Sequence, residues 1–357
     1  MVEDTVMAKV SMVISVYNVS QYIERCVRSL FEQTEEDMEF VFVDDCSTDD
    51  SVNVLLSVLE EYPERKNQVR LLRHEYNMGA AISKRDGMLA AMGEYVLVID
   101  SDDYVERNMA ELLYRKAVEE NADMVLCGLY IYDYEGGARI MLKHIGEGED
   151  SEQLRTEVIN RAITPSLSTK LIRKEILDTC DIEWPTHDYA EDVAISVQLA
   201  FYSKRIASVP MGLYHYCYNP KSVSNNIDKD HLLKIYNDHK ANVDIVFAFL
   251  RKNGVLDQYG QCAYNLAVRT KCVLLPLVGE RKYRRMWFDT YREMNRVILW
   301  GDAGHNSRWR EKIWYLSIWL GLYPKVRKRL IGERLRMGSG WKWGAVIMER
   351  LYHGDVA

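Results

Sequence analysis

Apolar positions in the first 130 residues come in short solid runs, separated by stretches where they recur every three or four positions. Val10–Val16, 39–43, Val69–Arg73 and 95–99 read as strands. Between the first two, Ile23, Cys26, Val27, Leu30 and Phe31 fall at i, i+3, i+4, i+7 and i+8, and Ser20 is placed to cap that helix. Thr48 or Asp49 can cap the next, which carries Val52, Leu55, Leu56 and Leu59. Further helices are expected over 80–92 and about 107–121, and 124–128 is strand-like. Strands alternating with helices of about 10–15 residues indicate βαβ units and a parallel sheet. Crossovers of this kind are right-handed and give a doubly wound layer.

Beyond residue 130 the pattern loosens. Residues 135–151, rich in Gly and charge, read as a surface loop; 160–224 carry dispersed apolar segments, read as further structure on the same sheet. From about residue 225 helical patterns dominate. A chain of 357 residues accommodates a full α/β domain and a smaller second one. Its 48% hydrophobic and 28% charged content is that of an ordinary soluble protein. No basic segment followed by an apolar core opens the sequence, and no apolar run reaches the roughly 18–20 residues that span a bilayer. Seven cysteines without a CxxC pair argue against structural zinc and for a reducing compartment, so a cytoplasmic location is expected.

Charge changes the picture at one end. Residues 281–350 hold 17 Lys/Arg against 6 Asp/Glu, so the rest of the chain carries −18 of the overall −7. Seven of the eight tryptophans also follow residue 281. A basic, Trp-rich end on an acidic body suits an anionic membrane surface; a helical bundle that packs its tryptophans inward is the alternative. The acidic body and the lack of a recognised module argue against nucleic acid.

Two acidic clusters end strands: Asp44-Asp45-Cys46-Ser47-Thr48-Asp49 and Asp100-Ser101-Asp102-Asp103. Carboxylates crowded where an apolar strand runs out are costly unless a cation joins them. A hard divalent ion holding a diphosphate is the economical explanation, and ligands of open α/β sheets bind beyond the carboxyl ends of the strands. Neither GxGxxG nor GxxxxGK[ST] is present, so no glycine cradle is available for phosphate.

These clusters, with Ser15-Val16-Tyr17-Asn18, Asn77-Met78-Gly79, Lys84, Gly87, Lys170-Leu171, Glu191-Asp192 and Tyr214-His215-Tyr216, occur in an order that resembles glycosyltransferase family 2. The resemblance covers roughly 8–224. Cys46 stands where that family usually has Gly, and Lys84-Arg85 where it usually has Arg-Asn. The resemblance implies a GT-A fold, an α/β domain with a doubly wound mixed sheet over 1–224. Its nucleotide-sugar half would cover about 8–130 and its acceptor half about 150–224, with a helical extension over 225–357.

It further implies a metal-dependent inverting transfer from a nucleotide sugar, most simply UDP-linked, to a glycan or lipid-linked acceptor in cell-surface polysaccharide synthesis, with peripheral attachment to the inner face of the membrane as the expectation. Tyr17 would lie against the nucleobase and Asp45 would bond its edge. Ser15, Asn18, Asn77, Gly79, Lys84, Ser101 and Glu191 would line the donor site, with Lys84 near the diphosphate. Asp102, assisted by Asp100 and His215, would hold Mg²⁺ or Mn²⁺, and Asp192 would be the general base. Each residue also has an ordinary role open to it: Tyr17 in a core, Asp44 and Asp45 in a turn, Glu191-Asp192 at a helix N-terminus, His215 packed between tyrosines. A metal-dependent nucleotidyltransferase and a silent sugar-nucleotide-binding subunit are the competing functions.

Overall fold

A computed structural model describes residues 8–132, 139–142, 150–161, 166–217, 219, 228–300 and 309–323. In chain order these form β1 (Val10–Val16), α1 (Ile23–Phe31), β2 (Met38–Asp44), α2 (Ser51–Glu60), β3 (Val69–Arg73), α3 (Ala80–Ala90), β4 (Tyr95–Asp100), β5 (Tyr104–Val105) and α4 (Met109–Glu120). Next come β6 (Met124–Tyr132), β7 (Arg139–Leu142), α5 (Ser151–Arg161), β8 (Lys170–Arg173), α6 (Lys174–Thr179), α7 (Glu191–Tyr202) and β9 (Ile206–Tyr216). The chain divides into two compact units, one over 1–158 and 165–219, the other over 159–164 and 220–357.

In the first unit one mixed sheet runs β3-β2-β1-β4-β8-β6-β9-β5, with β7 on the edge of β6. β3, β2, β1 and β4 are parallel, β8 is antiparallel to both β4 and β6, and β6 and β9 are parallel again. The doubly wound half is thus the expected one, and the segment beyond residue 160 joins the same sheet through β8 and β9. The stretch read as a surface loop contributes β7; its remaining residues up to 149 lie largely outside the described ones.

β1, β2 and β4 are nearly continuous apolar runs because helices cover both their faces. Met12, Ile14, Phe40, Phe42, Leu97 and Ile99 join one core with Ile23, Val27 and Leu30 of α1 and Leu113 and Ala117 of α4. On the other face α3 approaches so closely that a Cβ at Gly87 would lie 2.3 Å from Val13 Cγ1. Only glycine fits there. Ser20 does not cap α1: a turn from Val19 to Tyr22 precedes the helix, and the Ser20 amide donates to Asp49. Asp49 also accepts the Ser51 amide, but the residue at the cap of α2 is Asp50, whose side chain makes no capping bond, so neither Thr48 nor Asp49 caps the helix.

The second unit comprises α8 (Lys229–Lys252), capped by Asp228, with α9 (Gly260–Val273), α10 (Arg281–Asp289), α11 (Met294–Trp300) and α12 (Trp309–Trp319). Tyr236, Leu274, Val278, Trp287, Ile318 and Tyr323 form one core cluster, and Tyr264, Val268, Cys272 and Ile298 a second. Trp287 therefore packs inward, whereas Trp300 and Trp319 are 80% and 66% exposed. The inward-packed bundle accounts for Trp287 but not for Trp300 and Trp319. Trp341 and Trp343 lie outside the described residues.

Candidate active site

The carboxyl ends of β1, β2 and β4 lie side by side, with Ser15 in register with Asp100 and Val16 with Asp44. Tyr17, just past β1, is 46% exposed, so it is not the core residue that an aromatic at a strand end could have been. Asn18 adopts φ 51°, a left-handed conformation that Asn tolerates, and its Oδ1 accepts the Thr48 amide at 2.8 Å. That bond ties the loop after β1 to the loop after β2. Cys46 has φ 62°, which explains why glycine is at home there.

Asp45 departs from expectation. It is 2% exposed, and its carboxylate accepts the amides of Met78 at 2.7 Å and Gly79 at 2.8 Å, with His74 Nδ1 2.7 Å away. Most of its acceptor capacity goes into shaping 74–79 rather than toward a nucleobase edge. Asn77 remains exposed on that loop, and Gly79 takes φ 93° at the start of α3.

Lys84, one turn into α3, is the larger correction. Its Nζ lies 3.2 Å from Asp100 Oδ1, 2.9 Å from Glu191 Oε1 and 3.0 Å from Asp192 Oδ1. Glu191 and Asp192 take two of its three donors in hydrogen bonds and Asp100 adds an ion pair, so the ammonium is turned toward these carboxylates. Burial alone would pull Lys84 down, but those carboxylates hold it well above the usual lysine range. Burial pushes Glu191 up despite the pull of Lys84, and the charge of Asp192 adds to the push. Lys170, also buried, donates to the Ser166 carbonyl at 2.8 Å; burial brings it down to about 8, against the opposing charge of Asp192.

The turn 100–103 closes with the Asp103 amide on the Asp100 carbonyl at 3.1 Å. Asp103 is buried, accepting the Tyr214 hydroxyl at 2.5 Å and the Cys217 amide at 2.6 Å, so it anchors the turn to the end of β9. Ser101 is buried beside it. Asp100 Oδ2 accepts from Ser168 Oγ at 3.2 Å, and Asp102 Oδ2 accepts from Asn219 Nδ2 at 2.9 Å. Burial, then the charge of Asp100, pushes Asp102 up.

Two neighbouring carboxylates with oxygen donors only fit Mg²⁺ or Mn²⁺, which keep positions for waters and phosphate oxygens. Among the described residues no group of three or more His, Cys, Asp or Glu forms a cage, so the protein would supply part of the shell only. His215 does not belong to it. Its ring stacks on Tyr104 with centroids 4.2 Å apart, and Nε2 lies 2.9 Å from Glu106 Oε1. β5 pairs with β9 there, which makes His215 a packing residue of that strand pair.

The structure thus joins Asp100, Glu191 and Asp192 through Lys84, and links Asp45 to the same helix through Met78 and Gly79. Ser168, Asn219 and Asp188, which donate to or organise these groups, were not among the expected residues. Asp188 alone carried a signal, as an acid four residues before Asp192.

A mixed sheet of this order, with acidic turns at its carboxyl edge, is the GT-A architecture of nucleotide-sugar-dependent transferases. The model for "Glycosyl transferase family 2" matches residues 11–180. The glycosyltransferase GlyG of Streptococcus pneumoniae is 31% identical over 58% of this chain and 70% of its own. The poly(ribitol-phosphate) beta-N-acetylglucosaminyltransferase TarP of Staphylococcus aureus is 28% identical over 62% of this chain and 66% of its own. Residues 1–349 of S. aureus TarS, solved with UDP-GlcNAc, superpose with a TM-score of 0.63 at 20% identity, over 94% of this chain and 93% of that one. The chain belongs to glycosyltransferase family 2 and is a glycosyltransferase.

Proposed function

We propose that this enzyme moves a sugar, with inversion and with the help of Mg²⁺ or Mn²⁺, from a UDP-linked donor to a hydroxyl of a glycan or lipid-linked acceptor. One observation carries the reading: Asp192, on α7, and Asp100, the last residue of β4, meet at a single buried ammonium, Lys84. A base for the acceptor and a carboxylate for the donor are then brought to one place. Similarity to proteins that bind UDP-GlcNAc and glycosylate poly(ribitol-phosphate) supports the donor and acceptor classes.

In this reading Tyr17 stacks on the nucleobase, while Asp45 and Asn18 hold the loops that frame it. Asn77 and Gly79 line the donor side. Asp192 takes the acceptor proton as the new C1–O bond forms and the bond to the diphosphate oxygen breaks, UDP leaving with the electron pair. Asp100 and Asp102 would hold the divalent ion, which when bound offsets charge on the departing diphosphate. Glu191 and Lys84 keep Asp192 in place. The first unit would be the catalytic domain.

The test is UDP release from UDP-glucose, UDP-galactose and UDP-N-acetylglucosamine with Mn²⁺, and GDP release from GDP-mannose as contrast. Turnover of at least one UDP-sugar is the expected outcome; turnover of none sinks the donor assignment.

We place the enzyme peripherally on an anionic membrane, on its cytoplasmic face. No described helix is long and apolar enough to cross a bilayer. Yet Ile313, Leu316, Trp319, Leu320 and Leu322 on and after α12 are all exposed, an inversion of the usual surface pattern. Arg281, Lys282 and Arg285 of α10 are exposed as well. Apolar and aromatic groups beside cations match an interface with anionic lipid. The full chain should float with phosphatidylglycerol vesicles, and Trp319→Glu with Leu320→Glu should cut the bound fraction severalfold. Equal flotation of wild type and double variant removes this surface from the account.

A further inference from the structure

Residues 180–190 connect α6 to α7 without regular structure, yet they deliver Glu191 and Asp192 to the site. The connection is fastened at two places. Near its start, the fully buried Gln198 accepts the Glu183 amide at 2.8 Å and donates to the Glu183 carbonyl at 2.9 Å. Near its end, Asp188 Oδ1 accepts the Ala81 amide at 3.2 Å, in the first turn of α3.

The Asp188 carboxylate fills the space beside Gly79. A Cβ at Gly79 would lie 2.5 Å from Oδ1 and 2.9 Å from Oδ2 and would displace the carboxylate, and its φ of 93° independently favours glycine. Asp188 therefore supplies from a distant segment the acceptor that an N-cap side chain would give α3. Two residues on, Ala190 has φ 69°. A non-glycine residue holds that conformation only where its surroundings over-determine it. Immediately afterwards Glu191 and Asp192 are gripped by Lys84. Ala81 and Lys84 stand three positions apart, on one face of the same helix. The strained turn at Ala190 is thus stapled to α3 on both sides.

We propose that Asp188 is a positioning residue: by bonding the Ala81 amide it fixes the turn that aims Asp192. It acts through Asp192. The inference rests on Asp192 being the base.

The experiment compares wild type, Asp188→Ala, Asp188→Asn and Asp192→Asn as full chains. Hydrolytic UDP release from the three UDP-sugars, water standing in for the acceptor, gives kcat and KM; titration calorimetry gives UDP affinity with Mn²⁺. Asp188→Ala should lose roughly ten- to a hundredfold in kcat, the scale of a small misplacement of a reacting group. UDP affinity and melting temperature should hold. Asp188→Asn should recover most of the rate, because its amide oxygen also accepts the Ala81 N–H. Undiminished kcat in Asp188→Ala overturns the proposal. So does a joint fall in kcat, UDP affinity and melting temperature, which marks a role in folding alone, or a failure of Asn to rescue. Full turnover by Asp192→Asn, or none by wild type, brings down the underlying assignment instead. An inactive Asp192→Asn beside a normal Asp188→Ala removes only the inference.

Discussion

Asp192→Asn is expected to lower sugar transfer by about 10²–10⁴-fold, the usual worth of a positioned general base, while leaving UDP affinity close to wild type. The asymmetry follows from what the substitution keeps. Asn has the same shape, and its amide oxygen can still accept from Lys84, which lies 3.0 Å from Asp192 Oδ1. The ion-pair charge is lost, yet Lys84 retains Glu191 and Asp100 as anionic partners. α7 therefore has no reason to leave its place. The amide, however, cannot take a proton from an attacking hydroxyl. Steady-state transfer beside calorimetric UDP titration checks both halves. Transfer within threefold of wild type would falsify the assignment of Asp192.

What could be read in advance was local. β1, β2 and β4 announce themselves because strands covered on both faces need unbroken apolar runs, and α1 because Ile23, Cys26, Val27, Leu30 and Phe31 repeat at helical spacing. The turn 100–103 was legible because charge at the end of an apolar strand is costly without a purpose. Partners far apart in sequence were not legible. Lys84 meets Glu191 and Asp192 across 107 and 108 positions, and nothing near residue 84 marks it as an internal cation rather than a phosphate ligand. The inward turn of Asp45 depends on amides 33 and 34 residues away. Backbone donors carry no sequence signature. β8 and β9 escape for a related reason, since neither the antiparallel insertion of β8 between β4 and β6 nor the parallel pairing of β9 with β6 is recorded in any short window. His215 shows the converse: the aromatic neighbours visible in the sequence stated its packing role, and the family pattern drew attention away from it.

Removal of divalent cations should abolish most activity and weaken UDP binding, and Asp102→Asn should reproduce both losses in the presence of Mn²⁺. A Lewis acid at a leaving group supplies several kcal/mol, so a fall on the order of 10³-fold in transfer is expected. The same variant should not harm the fold. In the ion-free protein Asp100, Asp102 and Asp103 crowd three carboxylates into four residues, and only Asp100 faces Lys84 directly. Burial and the charge of Asp100 both work against a charged Asp102. Asn removes that repulsion and leaves Asp103, with its bonds to Tyr214 and Cys217, to hold the turn. The chelated Asp102→Asn protein should therefore melt at or above the temperature of chelated wild type. A carboxylate kept at a cost to stability and needed for nucleotide binding is one retained for function. Calorimetric UDP titrations with Mn²⁺ and with EDTA, run beside thermal melts of both proteins, separate the outcomes. Equal UDP affinity with and without the ion would refute a metal-bridged diphosphate. A large drop in melting temperature would instead make Asp102 a structural part of the turn.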